Sequence, residues 1–432
     1  MVKLLHLSDI HMGSGFSHGY VNPETGLNTR LEDFISTLTR CIDRALSESV
    51  DLVLFGGDAF PDATPPPVVQ QAFAHQFQRL VEAQIPTVLL VGNHDQHSQG
   101  MGGASLSIYR TLGVPGVIVG DSLTTHRVET QAGPIQVITL PWLNHSTLFT
   151  RPETEGLSLS AVNELMLDRL RAALEGEVRQ LDPAIPSILL AHLMTDTARY
   201  GAEKFLAVGK GFTVPMALLA RPCFDYVALG HVHKHQILCA DPPVVYPGSI
   251  ERVDFSEEEE DKGFVLAEVT TDRASVEFCP LSVRAFKTVE VDVSTSDIPQ
   301  AELEHSLSNA KIADAVVRLI YKLSPTQIEH IDHGALHQAL AHAHSYTIHP
   351  ELVSQLSRPR LPELTSDSNR DPLSALQTYL ANRDDLAAFS TDMLLAAQVL
   401  LDDANQPVSA AAQTVDLETA IADETQQQLR LL

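Results

Sequence analysis

The sequence contains little cysteine, and the cysteines it has are far apart. Cys41, Cys223, Cys239 and Cys279 form no C-x-x-C pair in a chain of 432 residues. A disulfide framework needs many cysteines in a short chain, and a zinc knuckle needs closely spaced pairs. Both classes are therefore excluded. The scattered thiols fit a reducing compartment, and we expect a cytoplasmic protein.

Long apolar runs are also missing. The chain starts with MVKLLHLSDIH, where an aspartate and two histidines interrupt the apolar stretch that a signal peptide requires. No later window holds about 18 uninterrupted apolar residues, the length that crosses a membrane as a helix. We therefore expect a protein that is neither exported nor embedded in a membrane. Its 44% hydrophobic content over this length predicts two or three domains with substantial cores.

Basic residues are scarce: 29 lysines and arginines face 55 aspartates and glutamates, giving a formal net charge of −26. Nucleic-acid binding normally uses a basic surface, so this charge argues at first against such a partner. However, part of the acidity lies in residues 257–261 and after Leu401, and bound cations can neutralise other carboxylates. The net charge alone therefore does not identify the partner.

The first two thirds of the chain alternate short apolar runs with helical stretches. Runs this apolar are typical of strands buried on both faces, and the segments at 30–49, 67–84 and 160–181 have apolar residues at helical spacing. The predicted architecture is a layered α/β sandwich. Its strand candidates are KLLHLS, DLVLFGG, IPTVLLVGN, IQVITLP, SILLAHL and YVALGH.

After Pro247 the pattern changes to alternating runs, GFVLAEV, SVEFCPL and FKTVEVDV, which predict antiparallel strands closing one sheet edge. We expect the first domain to cover residues 1–280 and a small α/β cap with one strand, DAVVRLIYKL, to cover 281–346. The proline-bearing stretch 347–370 has the composition of a linker. Residues 371–432 would then hold two amphipathic helices, near 372–382 and 391–402, and a loose tail.

The stretch YVALGHVHKHQ places His231, His233 and His235 at alternate positions. In an extended backbone these side chains would point to one side. Chance histidines at a solvated strand end and a metal site are about equally good explanations of an H-x-H pattern alone, because imidazole is both a common surface group and the commonest metal ligand. The other strand ends decide between them.

Polar side chains follow several predicted strands at the point where each ends. In a doubly wound sheet the ligand site forms outside the carboxyl ends of the strands. One such residue alone is commonly part of a capped turn, but the whole set at strand ends predicts a common site. The set comprises Asp9, His11, Asp58, Asn93, His94, Asp95, His192, His231 and His233.

This combination of residue types suits a pair of divalent metals. Oxygen and imidazole donors without thiolate favour manganese, iron or zinc at a catalytic site over a structural zinc site, and Asp58 is placed to bridge two ions. Paired ions stand roughly 3.5–4 Å apart and clamp both the attacking and the leaving oxygen of a phosphate ester. The sequence therefore predicts two-metal hydrolysis of such esters.

The motifs D-x-H, G-D, G-N-H-D, H and G-H-x-H, in this order over residues 9–233, resemble those of the calcineurin-like metallophosphoesterases. Within that superfamily, YPGSIERVDFSEEEEDKGF at 246–264 is similar to a segment of the SbcD-type DNA double-strand-break repair nucleases. The resemblance implies a sandwich of two β-sheets flanked by helices, with a small α/β cap domain and C-terminal helices.

The resemblance also implies a role for each site residue. One ion would be held by Asp9, His11, Asp58 and His233, and the other by Asp58, Asn93, His192 and His231. His94 would act on the phosphate, by protonating the leaving 3′ oxygen or stabilising the transition state. His235, which no motif includes, would face water or the substrate groove.

By the same resemblance, the chain would be a manganese-dependent DNA nuclease, with Mg²⁺, Fe²⁺ or Zn²⁺ as other possible ions. It would act in DNA repair, recombination and replication as a 3′–5′ exonuclease and single-strand endonuclease, associated with the nucleoid when active. Its partners would be DNA and an SbcC-type ATPase with a coiled coil. A homodimer of the nuclease within a heterotetramer would form through the segments at 65–80 and 102–113.

Two alternatives stay open: a small-molecule or cyclic-nucleotide phosphodiesterase of the same superfamily, and an inactive scaffold that binds DNA ends. One departure from the nuclease pattern concerns Pro61, three residues after Asp58, where relatives carry His or Asp; it leaves the balance of exonuclease and endonuclease activity open. GGDAFPDAT also lacks the arginine of the G-D-x-x-D-R motif, which argues against a protein phosphatase.

Overall fold

A computed structural model describes residues 1–97, 103–143, 158–199, 201, 213–353, 372–381 and 390–404. The chain divides into two compact units, residues 1–353 and residues 354–432. The first unit contains two six-stranded sheets and a three-stranded sheet. No helix in the part that the structure describes is long and apolar enough to cross a membrane.

The first six-stranded sheet contains four parallel strands and two antiparallel strands at one edge. The parallel strands are β1 (Val2–Leu7), β2 (Leu52–Phe55), β3 (Thr87–Leu90) and β4 (Val117–Gly120). The antiparallel edge was predicted from the alternating runs after Pro247. Beside β1 lies β13 (Gly263–Val269), which contains GFVLAEV, and beside β13 lies β14 (Ala274–Pro280), which contains most of SVEFCPL. These two predicted antiparallel strands are confirmed.

The second six-stranded sheet has an antiparallel strand at each edge and four parallel strands between them. In chain order its strands are β5 (Thr124–Thr130), β6 (Gly133–Leu140), β7 (Ser187–His192), β10 (Tyr226–Gly230), β11 (Gln236–Ala240) and β12 (Pro243–Tyr246), with a two-stranded ribbon of β8 (Met194–Thr195) and β9 (Thr213–Val214) inserted after β7. Across the sheet the order is β11, β12, β10, β7, β6, β5. The antiparallel pairs are β11 with β12 and β5 with β6.

The two sheets pack face to face, and helices cover their outer faces. Leu54 and Val88 of the first sheet share one buried core with Leu190 and Ala228 of the second. Helices α1 (Thr29–Ser47) and α2 (Pro67–Glu82) pack on the first sheet, with short α3 (Ser107–Thr111) nearby, and α4 (Leu159–Val178) and short α5 (Met216–Leu219) pack on the second. Because both faces of each sheet are covered, the strands read as continuous apolar runs. The predicted layered sandwich is confirmed.

The third sheet is small. It corrects the sheet to which one predicted strand was assigned and, through its last strand, the start of the predicted linker. The strands β15 (Phe286–Asp292), β16 (Val316–Leu323) and β17 (Ser345–Leu352), which follow the edge strands β13 and β14 in chain order, pair in parallel in the order β15, β16, β17. The run FKTVEVDV therefore lies in this sheet and not at the antiparallel edge. The alternation in this run correctly predicted a strand. Alternation does not, however, specify which sheet a strand joins.

The segment predicted to be a linker from residue 347 begins inside β17, which is largely exposed and carries Pro350. Proline is tolerated in an edge strand, where its missing N–H faces solvent. The rest of the predicted linker, 354–370, lies outside the described residues. The small sheet packs on α6 (Pro299–Asn309) and α7 (His333–Ala339) over a core of its own.

Buried charges join the small sheet to the sandwich. The Arg284 guanidinium donates to both carboxylate oxygens of Asp33, at 2.7 and 2.8 Å. Asp33 also accepts from Arg30, which is fully buried and lies over the Phe286 ring at 5.3 Å. These contacts connect α1 to the start of β15.

In the second unit the structure describes helices α8 (Pro372–Ala381) and α9 (Ser390–Ala404), which contact each other. Both correspond to predicted amphipathic helices. Leu380 is buried, whereas Met393 and Leu395 are exposed. Residues 382–389, between the two helices, lie outside the described residues.

Candidate dinuclear metal centre

The polar residues that follow the strands meet at one end of the sandwich. Asp9 and His11 follow β1, Asp58 follows β2, and Asn93 follows β3. On the second sheet His192 is the last residue of β7, and His231 and His233 follow β10. Three groups of these side chains have candidate ligand atoms within 4.8 Å of one another. The groups are Asp9, His11 and His233; His11, Asp58 and His94; and Asp58, His192 and His231.

Left-handed backbone turns bring these side chains together. Asp9, His11 and Asp58 have φ angles of 52°, 48° and 58°. The backbone N–H of Asp9 donates to Gly57 O at 2.9 Å, and that of His11 donates to Asp58 O at 3.0 Å, so the loops after β1 and β2 remain paired beyond the sheet. Positive φ is costly for non-glycine residues and clusters at functional sites, where the surrounding structure maintains it.

The end of β10 corrects one expectation. The strand stops at Gly230, and His231 has a φ of 103°, so His231, His233 and His235 do not share one face of an extended chain. His235 lies outside the cluster: its Nδ1 donates to Tyr246 O at 2.8 Å and its ring stacks on Phe278 at a centroid distance of 4.1 Å.

One set of donors converges around Asn93. Its Oδ1 lies 2.9 Å from His192 Nε2 and 2.9 Å from His231 Nδ1. His192 donates its other ring proton, on Nδ1, to Gly56 O at 2.7 Å, which directs Nε2 toward the cluster. Donor atoms that share an ion at about 2.1 Å are themselves about 3 Å apart, so this spacing suits one cation.

A second set surrounds His11 and His233, whose Nε2 atoms are 3.1 Å apart. Asp9, fully buried, is grouped with both rings. Its carboxylate accepts from the backbone N–H of His231, 3.0 Å from each oxygen, and from the Ser8 hydroxyl. These bonds fix the carboxylate while leaving lone pairs available for a cation.

Asp58 lies between the two sets. Its Oδ2 is 3.6 Å from His11 Nε2 and 3.3 Å from His192 Nε2, while its Oδ1 accepts from the backbone N–H of His94 at 2.8 Å. Gly92 is needed beside it, because a Cβ at that position would lie 2.2 Å from Asp58 Oδ1. The arrangement suits a carboxylate that contacts two ions.

The residues present fit a pair of divalent cations. The His231 ring packs against Trp142 at a centroid distance of 4.8 Å, and its Nδ1 is the nitrogen that meets Asn93. Two buried carboxylates and several imidazoles without a thiolate form a donor set for manganese, iron or zinc, and buried charged groups of this kind are otherwise costly.

The electrostatics of the cluster show how closely its charges are coupled. Burial alone would lower the pKa of His192, but Asp58 outweighs it and raises that pKa to about 9. Burial likewise opposes the protonation of His233, and Glu257 outweighs it, raising the pKa of His233 to about 9. Burial lowers the pKa of His231 well below its usual value. Cations would replace the bound protons in balancing the carboxylates.

His94 is held differently from the other histidines. Its Nδ1 donates to Pro61 O at 2.8 Å, and its ring meets that of His11 edge-on at a centroid distance of 4.9 Å. The bond to Pro61 leaves Nε2 as the nitrogen available at the cluster. The bond uses the backbone carbonyl of Pro61, a group that any residue at this position would supply.

Sequence reasoning missed two supporting carboxylates. Asp95 was noted only as one of several polar residues; it is fully buried and accepts from the backbone N–H groups of Asp58, Ala59 and Gly92 at 2.9, 3.1 and 2.9 Å. Glu257 accepts from His233 Nδ1 at 2.6 Å. The position of Asp95 inside GNHD was a usable signal, and so was the position of Glu257 inside the nuclease-like segment 246–264, although the acidic run around it gives none.

Residues 2–235 match the calcineurin-like phosphoesterase family. The chain belongs to this family. Its Asp and His clusters fit the dinuclear metal site that metallophosphoesterases use. The fold assigned from the motifs is thereby confirmed.

A curated relative is the uncharacterized metallophosphoesterase YhaO of Bacillus subtilis, 26% identical over 303 residues. The match covers 68% of this chain and 64% of that protein, so the chain spans less than two thirds of the relative's length. The name of this relative identifies no substrate, and the nuclease subfamily is not established by it.

Two solved structures are similar to part of the chain. TT1561 of Thermus thermophilus has a TM-score of 0.36 and 18% identity, covering 64% of this chain and 98% of that one. A dimetal phosphatase from Danio rerio has a TM-score of 0.38 and 11% identity, covering 64% and 99%. Likeness at this level transfers no substrate and no residue role.

Proposed function

We propose that this metallophosphoesterase is a DNA nuclease subunit of the SbcD type, acting as a 3′–5′ exonuclease on duplex ends and as a single-strand endonuclease. The observation that carries the proposal is the placement of the segment 246–264, on which the resemblance to these nucleases rests. Its Glu257 contacts His233, and the next residue, Glu258, accepts from Lys287 Nζ and Thr288 N at 2.8 Å each. The nuclease-like segment thus joins the metal centre to the small sheet.

The proposed ligand sets follow the two convergent groups of donors. Bound ions, with Mn²⁺ the first choice, would activate water and neutralise charge on the phosphate. One ion would be held by Asp9, His11, Asp58 and His233, and the other by Asp58, Asn93, His192 and His231. Asp58 would contact both, in keeping with its position between His11 and His192.

His94 would be the catalytic residue that acts on the substrate. With Nδ1 bonded to Pro61 O, its Nε2 can donate a proton to the leaving 3′ oxygen or a hydrogen bond to the phosphate. Proton transfer of this kind contributes roughly 10²- to 10⁴-fold in rate.

The proposed partners are DNA and an SbcC-type ATPase with a coiled coil. Helices α8 and α9 carry apolar residues at helical spacing, and Met393 and Leu395 are exposed. An amphipathic helix can dock in a partner's groove. We propose that these helices bind the ATPase near the root of its coiled coil.

We also propose that the nuclease forms a homodimer through α2 and α3. The buried face of α2, with Val69, Phe73 and Phe77, belongs to the core, but Val68 is 43% exposed. Ile108 of α3 and Leu112, which directly follows α3, are 53% and 70% exposed. Exposed apolar side chains on both helices support an interface there.

A second candidate function is hydrolysis of a small-molecule or cyclic-nucleotide phosphodiester. The net charge of −26 favours it, because an acidic surface repels polyphosphates. An inactive scaffold is a weaker candidate, since a scaffold has no need of the convergent donors or of His94. The small sheet and the terminal helices favour the nuclease, because a small substrate requires neither.

The deciding experiment compares substrates with the purified full chain in Mn²⁺, alone and with the co-expressed ATPase. Linear duplex DNA, single-stranded DNA, cyclic AMP and bis(p-nitrophenyl) phosphate would each be offered to wild type and to His94→Ala. Cutting of either DNA by wild type and not by His94→Ala supports the nuclease. Hydrolysis of the small esters with both DNAs left intact would establish the second candidate instead.

A further inference from the structure

Glu257 is a buried carboxylate at the edge of the proposed metal centre. It is 4% exposed, and three donors contact it: His233 Nδ1 at 2.6 Å, Lys262 Nζ at 2.7 Å and the backbone N–H of Val253 at 3.0 Å. No described contact joins it to any other proposed ligand. Among the proposed ligands, His233 is therefore the one whose side chain Glu257 contacts directly.

The local fold holds Glu257 in place. Asp254 accepts from the backbone N–H of Ser256 at 2.7 Å and begins a short 3₁₀ turn, Phe255–Glu257. The Phe255 ring packs edge-on against Phe286, and the Arg318 guanidinium lies 4.4 Å from its centre. These contacts anchor the turn at the small sheet, so that Glu257 points back to His233.

Lys262 completes the arrangement. Its side chain is fully buried, and Nζ contacts Glu257, Glu260 at 2.9 Å and the backbone oxygen of His233 at 3.3 Å. The ammonium group balances the Glu257 carboxylate, which could not otherwise be buried with its charge. It also contacts the backbone of the residue that Glu257 orients.

The bond to Glu257 determines which ring nitrogen of His233 faces the centre. A neutral imidazole has one N–H and one lone pair. When Nδ1–H donates to Glu257, the lone pair is on Nε2, the atom 3.1 Å from His11 Nε2. Carboxylates that accept from a metal-binding histidine fix its tautomer and raise its basicity.

We propose that Glu257, supported by Lys262, is a positioning residue that holds His233 in the Nδ1–H tautomer with Nε2 directed at the ion site. The inference rests on the proposed function in one respect, the role of His233 as a ligand. It does not depend on which phosphodiester is the substrate.

Glu258 provides a matched control. It is adjacent, also carries a carboxylate, and bonds to Lys287 and Thr288 and not to His233. Glu257→Gln removes the charged acceptor next to the ligand, and Glu258→Gln makes the same chemical change one residue away. A purely structural role of the acidic run would make the two variants similar in ion affinity.

The experiment measures Mn²⁺ binding by electron paramagnetic resonance on the full chain, for wild type, Glu257→Gln, Glu258→Gln and His233→Ala. We expect the ion that His233 would hold to lose about 10- to 100-fold in affinity in Glu257→Gln, the range for such supporting groups. Glu258→Gln should stay within about twofold of wild type. Wild-type affinity in Glu257→Gln, with binding lost in His233→Ala, overturns the inference and leaves the proposed site intact.

A second measurement uses wild type alone and does not require that a variant fold. Nitrogen-15 NMR of histidine-labelled, Zn²⁺-loaded protein, with His233 assigned by comparison with His233→Ala, should show a protonated Nδ1 and a coordinated Nε2. A proton on Nε2 would overturn the inference. If wild type binds no ion at all, the proposed metal centre fails with it, which separates the two failures.

Discussion

The imidazoles of His11 and His233 face each other with their Nε2 atoms 3.1 Å apart. At this distance the two nitrogens share at most one proton, so at least one lone pair is directed into the space between them. His11 comes from the first sheet and His233 from the second, and both rings lie beside the Asp9 carboxylate. Basic nitrogens and a carboxylate directed at one point form a cation site.

His94→Ala should keep both ions and lose hydrolysis. The side chain interacts with Pro61 through Nδ1, whereas the contact of His94 with Asp58 uses the backbone N–H, which alanine retains. We expect kcat to fall by roughly 10²- to 10⁴-fold. Metal analysis by mass spectrometry should still find wild-type content; a missing ion would make His94 a ligand.

Pro61→Ala serves as the control for that variant. It alters the side chain at the atypical position but keeps the carbonyl group that His94 Nδ1 contacts. We expect kcat within a few-fold of wild type. A loss as large as that of His94→Ala would mean that the proline ring itself orients the histidine.

Asp58→Asn should weaken metal binding more than Asn93→Ala does. Asp58 lies within 3.6 Å of ring nitrogens from both donor sets and carries a charge, whereas Asn93 belongs to one set and is neutral. Calorimetric titration with Mn²⁺ should show both sites weakened in Asp58→Asn and one in Asn93→Ala. Equal titration curves for the two variants would contradict the bridging role.

The buried His6 should make the protein sensitive to acid. It bonds to Tyr226 Oη at 2.9 Å and Leu229 O at 3.2 Å across the two sheets, and burial lowers its pKa from 6.5 to about 3. The unfolded chain binds a proton at His6 near pH 6.5 and the folded chain does not. Stability from this residue is therefore complete above pH 6.5 and falls by about 1.4 kcal/mol per pH unit as the pH drops toward 3.

His6→Gln removes this titration while keeping an amide that can donate to Leu229 O. Urea unfolding in EDTA, followed by fluorescence of Trp142, the single tryptophan, would be compared at pH 7 and pH 4.5. We expect the variant to lose about 3 kcal/mol less than wild type between the two pH values. Parallel losses in both proteins would show that His6 does not contribute to the acid response.

Deleting every residue after Arg370 should leave a folded, metal-loaded hydrolase that no longer binds the proposed ATPase. Residues 1–353 form a compact unit with their own cores, and both proposed ion sites lie inside it. Co-purification with the tagged ATPase would measure docking, and Mn²⁺ content would measure the site. A truncated chain that captures the ATPase at wild-type yield would exclude α8 and α9 as the docking helices.

The sequence contained enough information to predict the sandwich and its cluster of polar residues. Strands such as LVLF at Leu52–Phe55 are buried on both faces, so their apolar runs were continuous and their carboxyl ends could be read directly. Asp58 and His192 stand at those ends, and the order of strands in parallel sheets then brings them together. Short-range patterns thus predicted a long-range site.

The parts that were missed depend on contacts that a pattern does not contain. The strand β15 was assigned to the wrong sheet because alternation shows that one face is buried but not against which partner. The strand β17 was missed because Pro350 and polar residues are as typical of an edge strand as of a linker. The acidic run by itself does not distinguish Glu257 from its neighbours Glu258 and Glu259, and its contact with His233 is visible only in the tertiary structure.

The division of the centre between two sheets has a consequence for how the protein is made. Asp9, His11, Asp58 and Asn93 are supplied by the first sheet, and His192, His231 and His233 by the second. Each proposed ion needs donors from both, so a nascent chain that has completed only β1 to β4 would hold neither ion site. The proposed sites would form only when synthesis has passed residue 233 and the sheets have packed. The first sheet itself is completed later still, because two of its strands, β13 and β14, follow the whole of the second sheet along the chain.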